Sequence, residues 1–281
     1  MNKNFGLIGE NLGHTYSQFI HSRILNKLDI KGRYGVYEVK KANLRNVVSG
    51  LKALGFSGVN VTIPYKVDII DYLDLLSEEA TKIGAVNVIK IDKDDTSIGY
   101  NTDYYGFGMM LGKYDVEIKD KNILILGTGG ASRAVIQYLI DNSVGDITIA
   151  SRNPETASLK YKGHKIIGYQ DISEVTDCSI LINTTPIGMF PNVKESPISR
   201  QYLKNFKYAI DLVYNPSETL FLKEAKDEGL RAINGLYMLV AQAVKSQEIW
   251  NDICISENII DTIVRDLYSE IDKSLEEVRW K

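Results

Sequence analysis

Side chains able to do chemistry gather in two kinds of place along this chain. In the first half, four polar blocks stand at the ends of apolar runs: His14-Thr15-Tyr16-Ser17, Asn60-Val61-Thr62-Ile63-Pro64-Tyr65-Lys66, Gly84-Ala85-Val86-Asn87 and Gly99-Tyr100-Asn101-Thr102-Asp103. Strand ends are where α/β sheets bind ligands. Hydroxyl, amide, ammonium and carboxylate groups together suit a small polyhydroxylated acid, because each ring hydroxyl needs a donor and an acceptor once water is excluded. Singly, each has a plainer default: a lysine after a proline starts a solvated helix, Asp103 caps one, and Thr62 or Asn87 closes a strand end.

The second place is Gly127-Thr128-Gly129-Gly130-Ala131-Ser132, which follows the apolar run Ile123-Leu124-Ile125-Leu126 and opens a helical segment, Arg133 to Ile140. Small residues let the backbone approach a pyrophosphate, while unpaired N–H groups and the dipole of the helix start favour its charge. The spacing is GxGGxx instead of GxGxxG, so the strand-to-helix context carries the reading of a dinucleotide site. About 20 residues on, where an NAD site places an acidic group, the next strand ends in Ser151-Arg152-Asn153. A guanidinium there suits a 2′-phosphate through two donors, with the Ser151 hydroxyl beside it, which favours NADP; nearby Glu155 keeps NAD open.

Those residues must be held by sheets. Short β-branched apolar runs alternate with amphipathic segments throughout, the pattern of βα units around a mainly parallel sheet. The reading places strands at 5–9, 34–39, 58–62, 85–91 and 97–101, with helices at 17–28, 43–54, 66–75 and 103–113. A second sheet follows at 123–126, 147–150, 166–168, 180–183, 209–213 and 232–234, then two terminal helices from Leu236. No Gly/Ser-rich tether interrupts the chain, so ordered crossings join the two parts.

With 281 residues, 44% hydrophobic and 25% charged, the chain is long enough for two cores. A formal net charge of -3 gives no global attraction to nucleic acid or an anionic membrane. Cys178 and Cys254 have no metal-ligand spacing, and His14, His21 and His164 form no triad, so no metal and no histidine catalysis is expected. Seventeen tyrosines are scattered as packing and surface residues, and the acidic run 270–277 reads as a solvated helix face. The polar amino terminus and the lack of a run of about 20 apolar residues point to a soluble cytoplasmic protein. Self-association into a homodimer is left open.

In their order, these blocks resemble the HSxSP-like, NVTxPxK, GAxN and NTD motifs of the shikimate dehydrogenase family. Further along, Asn183-Thr184-Thr185-Pro186-Ile187-Gly188-Met189, Asp211-Leu212-Val213-Tyr214-Asn215-Pro216 and Gly235-Leu236-Tyr237-Met238-Leu239-Val240-Ala241-Gln242-Ala243 extend the likeness over nearly the whole chain. The resemblance implies two α/β domains separated by a cleft: a substrate-binding domain of residues 1–103 plus 237–281, and a Rossmann-like NADP domain of residues 104–236. It implies reversible NADPH-dependent reduction of 3-dehydroshikimate to shikimate, a step of aromatic amino-acid biosynthesis.

By the same resemblance Lys66 and Asp103 form the catalytic pair. Thr15, Ser17, Thr62, Asn87, Tyr214 and Gln242 join them around the substrate. Gly127, Gly129, Gly130, Ala131, Ser151, Arg152, Thr185, Gly235 and Met238 would hold the cofactor. Two departures stand out. Thr15 and Gln18 replace a serine and a proline of the first motif. The family's NRTxxR block is reduced to Ser151-Arg152-Asn153, with Thr156 at the second arginine. A dual quinate/shikimate dehydrogenase using NAD or NADP therefore stays open, as does a non-catalytic NADP-binding sensor, against which the full set Lys66, Asn87, Asp103 and Gln242 argues.

Overall fold

The structure, a computed structural model, describes residues 2–13 and 15–279, with side chains through Ile271. His14 and most of the acidic run 270–277 lie outside the described side chains. The chain divides into two compact units, Met1–Phe107 with Val240–Leu267, and Gly108–Leu239 with Tyr268–Lys281.

In the first unit come β1 (Lys3–Gly9), α1 (Ser17–Lys27), β2 (Gly32–Glu38), α2 (Val47–Ala53), β3 (Phe56–Val61), β4 (Leu75–Leu76), α3 (Glu78–Ile83), β5 (Val88–Ile91), β6 (Ser97–Tyr100) and the start of α4 (Thr102–Lys113). The sheet order is β2-β1-β3-β5-β6-β4. The sheet is mainly parallel, as expected, with β5 alone reversed, antiparallel to both β3 and β6. Only residues 92–96 link β5 to β6, and a parallel return would need a dozen or more. The helix expected at 66–75 is absent. In its place stand a short 3₁₀ turn, Asp68–Tyr72, and β4. Asp74 is drawn to β6, its Oδ2 accepting from the Ser97 N–H at 2.8 Å and hydroxyl at 2.6 Å.

Two apolar clusters cover this sheet. One packs Ile8, Val59, Val61 and Ile89 against Leu44, Val48, Leu51 and Ile69. The other joins Phe5, Leu7, Tyr34 and Val88 to Leu25 of α1 and to Trp250, whose Nε1 donates to Ile89 O at 2.9 Å.

The second unit holds β7 (Ile123–Leu126), α5 (Gly130–Asp141), β8 (Ile147–Ser151), α6 (Pro154–Lys160), β9 (Lys165–Gly168), β10 (Ile180–Asn183), β11 (Tyr208–Asp211), α7 (Leu220–Asp227) and β12 (Arg231–Asn234). After them come α8 (Leu236–Asn251) and α9 (Glu257–Arg279). Its sheet is parallel in every pairing, in the order β12-β11-β10-β7-β8-β9, the doubly wound order that reverses beside its first strand. The strands β7, β8 and β10 are buried throughout, which is why they read as continuous apolar runs without alternation. Side-chain caps start α6 and α7, where Asn153 Oδ1 accepts from Thr156 N and Thr219 Oγ1 from Leu222 N.

The unit boundaries fall inside α4 and α8, so the chain passes between units along helices. From Tyr268 on, α9 belongs with the second unit, where Asn234 Nδ2 donates to Tyr268 OH at 2.9 Å. No described helix is long and apolar enough to cross a membrane.

Candidate active site

At one end of the first unit's sheet, Lys66 Nζ donates to Asp103 Oδ2 at 2.6 Å, with the side chains only 18% and 13% exposed. Asp103 sits in the first turn of α4, where the helix dipole favours a carboxylate. Lys66 lies on the turn after β3, held by Val86 N–H donating to its carbonyl at 2.7 Å. An ion pair this enclosed depends on good geometry and on satisfaction of its remaining lone pairs. Asn87 provides that, its Nδ2 donating to Asp103 Oδ1 at 2.9 Å. The amide is oriented by Thr102 N–H, which donates to Asn87 Oδ1 at 2.7 Å. One carboxylate oxygen therefore takes the ammonium and the other takes the amide.

Behind this triad runs a buried polar network that motif reading did not assign. Thr102 Oγ1 accepts from Asn87 Nδ2 at 3.1 Å and lies 3.4 Å from Gln242 Oε1 and 3.3 Å from Ser246 Oγ. Ser246 donates to Gln242 O at 2.8 Å and accepts from Asn60 Nδ2 at 3.1 Å. Asn60 is set in turn by Tyr34, whose hydroxyl donates to Asn60 Oδ1 at 2.8 Å. Asn60, Asn87, Thr102 and Ser246 are all buried. Such a network is costly unless each member is satisfied, and rigid when it is. Asn60 and Thr102 were visible in the motif blocks; Ser246, one helical turn after Gln242, carried no sequence signal.

The other expected substrate residues are placed as follows. Thr15 and Ser17 pair with each other at the start of α1, Thr15 Oγ1 donating to Ser17 Oγ at 3.0 Å. Thr62 follows β3, its N–H donating to Ile8 O at 2.9 Å. Tyr214 belongs to the second unit, in the segment after β11.

In the second unit, Gly127 leaves β7 with φ +101°, and a Cβ there would come within 2.6 Å of Thr185 Cγ2. Thr185 is fixed by Asn183 Oδ1, which accepts from its N–H at 3.0 Å and its hydroxyl at 2.7 Å. By contrast, a Cβ at Gly129 or Gly130 would meet nothing within 4 Å. Both stand at the start of α5 with Ala131 behind them, a bare backbone cradle open to a phosphate group. The residues therefore fit a dinucleotide. Gly127→Ala is expected to lower the melting temperature by several degrees, the cost of a strained φ plus a clash, while Gly129→Ala leaves it unchanged. Thermal unfolding of the two variants measures the difference, and equal melting temperatures would contradict it.

Beyond the turn, Ser151 is buried and its hydroxyl is taken up by Asn153, donating to its O and accepting from its N–H, both at 3.1 Å. Arg152 and Glu155 are exposed. Gly235 lies against the Leu212 backbone with no room for a side chain, and Met238 is buried in α8. Beneath Thr185, Asp211 accepts from Asn183 Nδ2 at 2.9 Å, Val213 N–H at 3.0 Å and the Thr219 hydroxyl at 2.7 Å. Burial pushes its carboxyl up to about 6 against the pull of those donors. Burial likewise pushes the Cys178 thiol up to about 12, an inert packing sulfur.

Two family models match the chain: the shikimate dehydrogenase substrate binding domain over residues 7–89, and the shikimate / quinate 5-dehydrogenase over residues 110–186. A shikimate dehydrogenase (NADP(+)) of Clostridium perfringens is 48% identical over 267 residues, covering 94% of this chain and 98% of that protein. The chain belongs to the shikimate dehydrogenase family. The fold agrees with that membership. A chorismate mutase/shikimate 5-dehydrogenase fusion protein from Clostridium acetobutylicum superposes with a TM-score of 0.94 at 48% identity, covering 97% of this chain and 99% of that one. A shikimate dehydrogenase solved in complex with NADP+ gives a TM-score of 0.87 at 37% identity, covering 95% and 96%. Within this family frame, the two units carry the two motif sets: polar strand ends in the first, the glycine turn in the second.

Proposed function

We propose that this chain is a cytoplasmic enzyme of aromatic amino-acid biosynthesis that reduces 3-dehydroshikimate to shikimate with NADPH, and runs the reverse reaction. The observation that carries the reading is the Lys66–Asp103 pair at 2.6 Å, oriented by Asn87. It supports a proton donor at Lys66, among hydroxyl and amide groups, in a family with NADP-dependent shikimate dehydrogenases among its members. We assign substrate binding to the first unit and the dinucleotide to the second.

When bound, NADPH supplies the hydride. The chain's part is to place the substrate carbonyl and furnish a proton as its oxygen becomes an alkoxide, and the Lys66 ammonium is that donor. Asp103 holds the ammonium in position and accepts from a substrate hydroxyl. Thr15, Ser17, Thr62, Asn87 and Gln242 hydrogen-bond the ring hydroxyls and carboxylate, which gives selectivity because a missing hydroxyl would leave buried groups unpaired. Gly127, Gly129, Gly130 and Ala131 would hold the pyrophosphate. Ser151 and Arg152 would hold the adenosine phosphate, Thr185 and Gly235 would border the cofactor, and Met238 would line the nicotinamide end.

The test is spectrophotometric: NADPH formation from shikimate and NADP, with quinate and NAD as parallel substitutions. Rapid turnover confined to shikimate with NADP is expected. Comparable rates with quinate or NAD would make the chain a dual enzyme, and tight NADP binding without turnover on any of these acids would make it a sensor.

A further inference from the structure

The glycine turn carries a cation that no motif announces. Lys160, in the last turn of α6, donates from Nζ to Thr128 O at 2.8 Å. Thr128 is the residue between Gly127 and Gly129, so a long and otherwise mobile side chain is drawn to the mouth of the turn. Its ammonium lies 5.2 Å from the centroid of the Tyr161 ring. That ring is itself anchored, its hydroxyl reaching Thr128 O at 3.3 Å and Ser132 Oγ at 2.8 Å.

No carboxylate pairs with Lys160 among the described residues. Burial, and then the nearby charge of Arg133, lowers its pKa. Positive charge beside the free N–H groups of a helix start is a setting an anion neutralises. Just ahead of α6, Arg152 is exposed, the Ser151 hydroxyl is taken by Asn153, and Thr156 in the helix brings no charge. A doubly charged phosphate facing Arg152 alone would be only partly neutralised.

We propose that Lys160 is the second cation of the adenosine 2′-phosphate site, exchanging its bond to Thr128 O for a charge-assisted bond to a phosphate oxygen. It is then a residue that sets NADP over NAD, and the proposal rests on NADP being the cofactor. Because the ammonium already sits on the turn, little ordering is required when the phosphate arrives.

Calorimetric titration of the full chain with NADP and with NAD tests this on wild type, Lys160→Ala and Lys160→Arg. Lys160→Ala is expected to weaken NADP roughly tenfold and NAD less than about twofold, with the NADP loss shrinking as salt is raised. Lys160→Arg, which keeps the charge, should retain most of the preference. Equal weakening of both dinucleotides would assign Lys160 to the pyrophosphate or to the turn itself and overturn the proposal, as would unchanged NADP affinity. A wild type that fails to bind NADP would overturn the cofactor reading and this proposal together, and the wild-type titration alone reveals that case.

Discussion

Lys66→Ala is expected to lower kcat by about 10²- to 10⁴-fold, the contribution of a positioned proton donor, with a much smaller change in the KM for shikimate. The motivating geometry is the 2.6 Å contact between Lys66 Nζ and Asp103 Oδ2 in a largely enclosed site. Asp103→Asn should approach the same loss, since the amide keeps the shape but gives up the charge that holds the ammonium. Because the two residues act as a unit, Lys66→Ala combined with Asp103→Asn should cost little more than either alone. Steady-state kinetics of the three variants, with circular dichroism to show that each is folded, makes the measurement. Near-normal kcat with a raised KM in Lys66→Ala would reduce the lysine to a binding group and remove it from proton transfer.

Acid should destabilise the first unit steeply, through a residue to which no catalytic role is assigned. His21 is 1% exposed, stacked on Tyr34 with ring centroids 4.0 Å apart, and its Nδ1 lies 3.0 Å from Gln247 Nε2. Burial lowers its pKa from 6.5 to about 3, against a weaker opposing bond with Asn60. A histidine depressed in the folded state contributes stability that is complete above pH 6.5 and is lost as pH falls towards 3. The slope is about 1.4 kcal/mol per pH unit, or roughly 5 kcal/mol over the window. That is comparable to much of a domain's net stability. Asp211 works in the opposite sense in the second unit: its carboxyl, raised to about 6, gains stability as pH falls from 6 to its unfolded value. Urea unfolding followed by the fluorescence of Trp250, whose ring is 5.4 Å from His21, reads the first unit. His21→Phe should flatten the profile between pH 6.5 and 4, and parallel profiles for wild type and variant would refute the assignment.

How much of this was legible beforehand follows from how local each feature is. The turn Gly127 to Ser132 is written in adjacent residues, an apolar strand, small residues and a helix start. The strands β7, β8 and β10 announced themselves because parallel strands buried on both faces must be continuous apolar runs. The reversal of β5 within a mainly parallel sheet was not legible, because alternation of runs says nothing of direction. The 66–75 segment was misread because Asp74 answers to Ser97 across the sheet, not to its own neighbours.

The substrate side was legible only as separate blocks. Lys66 and Asp103 are 37 residues apart, and Thr102 and Ser246 are 144 apart. Neither spacing has a local signature. By itself the sequence determined the two-part α/β architecture, the dinucleotide turn and, through the order of its motifs, the family, all of which depend on short-range pattern or on the motifs present. Only the tertiary structure decided that Asn87 orients Asp103, that Ser246 closes the network behind them, and that Lys160 stands on the turn at Thr128. Sheet order and helix packing bring those side chains together, and such long-range contacts are selected by burial and hydrogen-bond satisfaction across the whole fold, not by the propensities of any one segment.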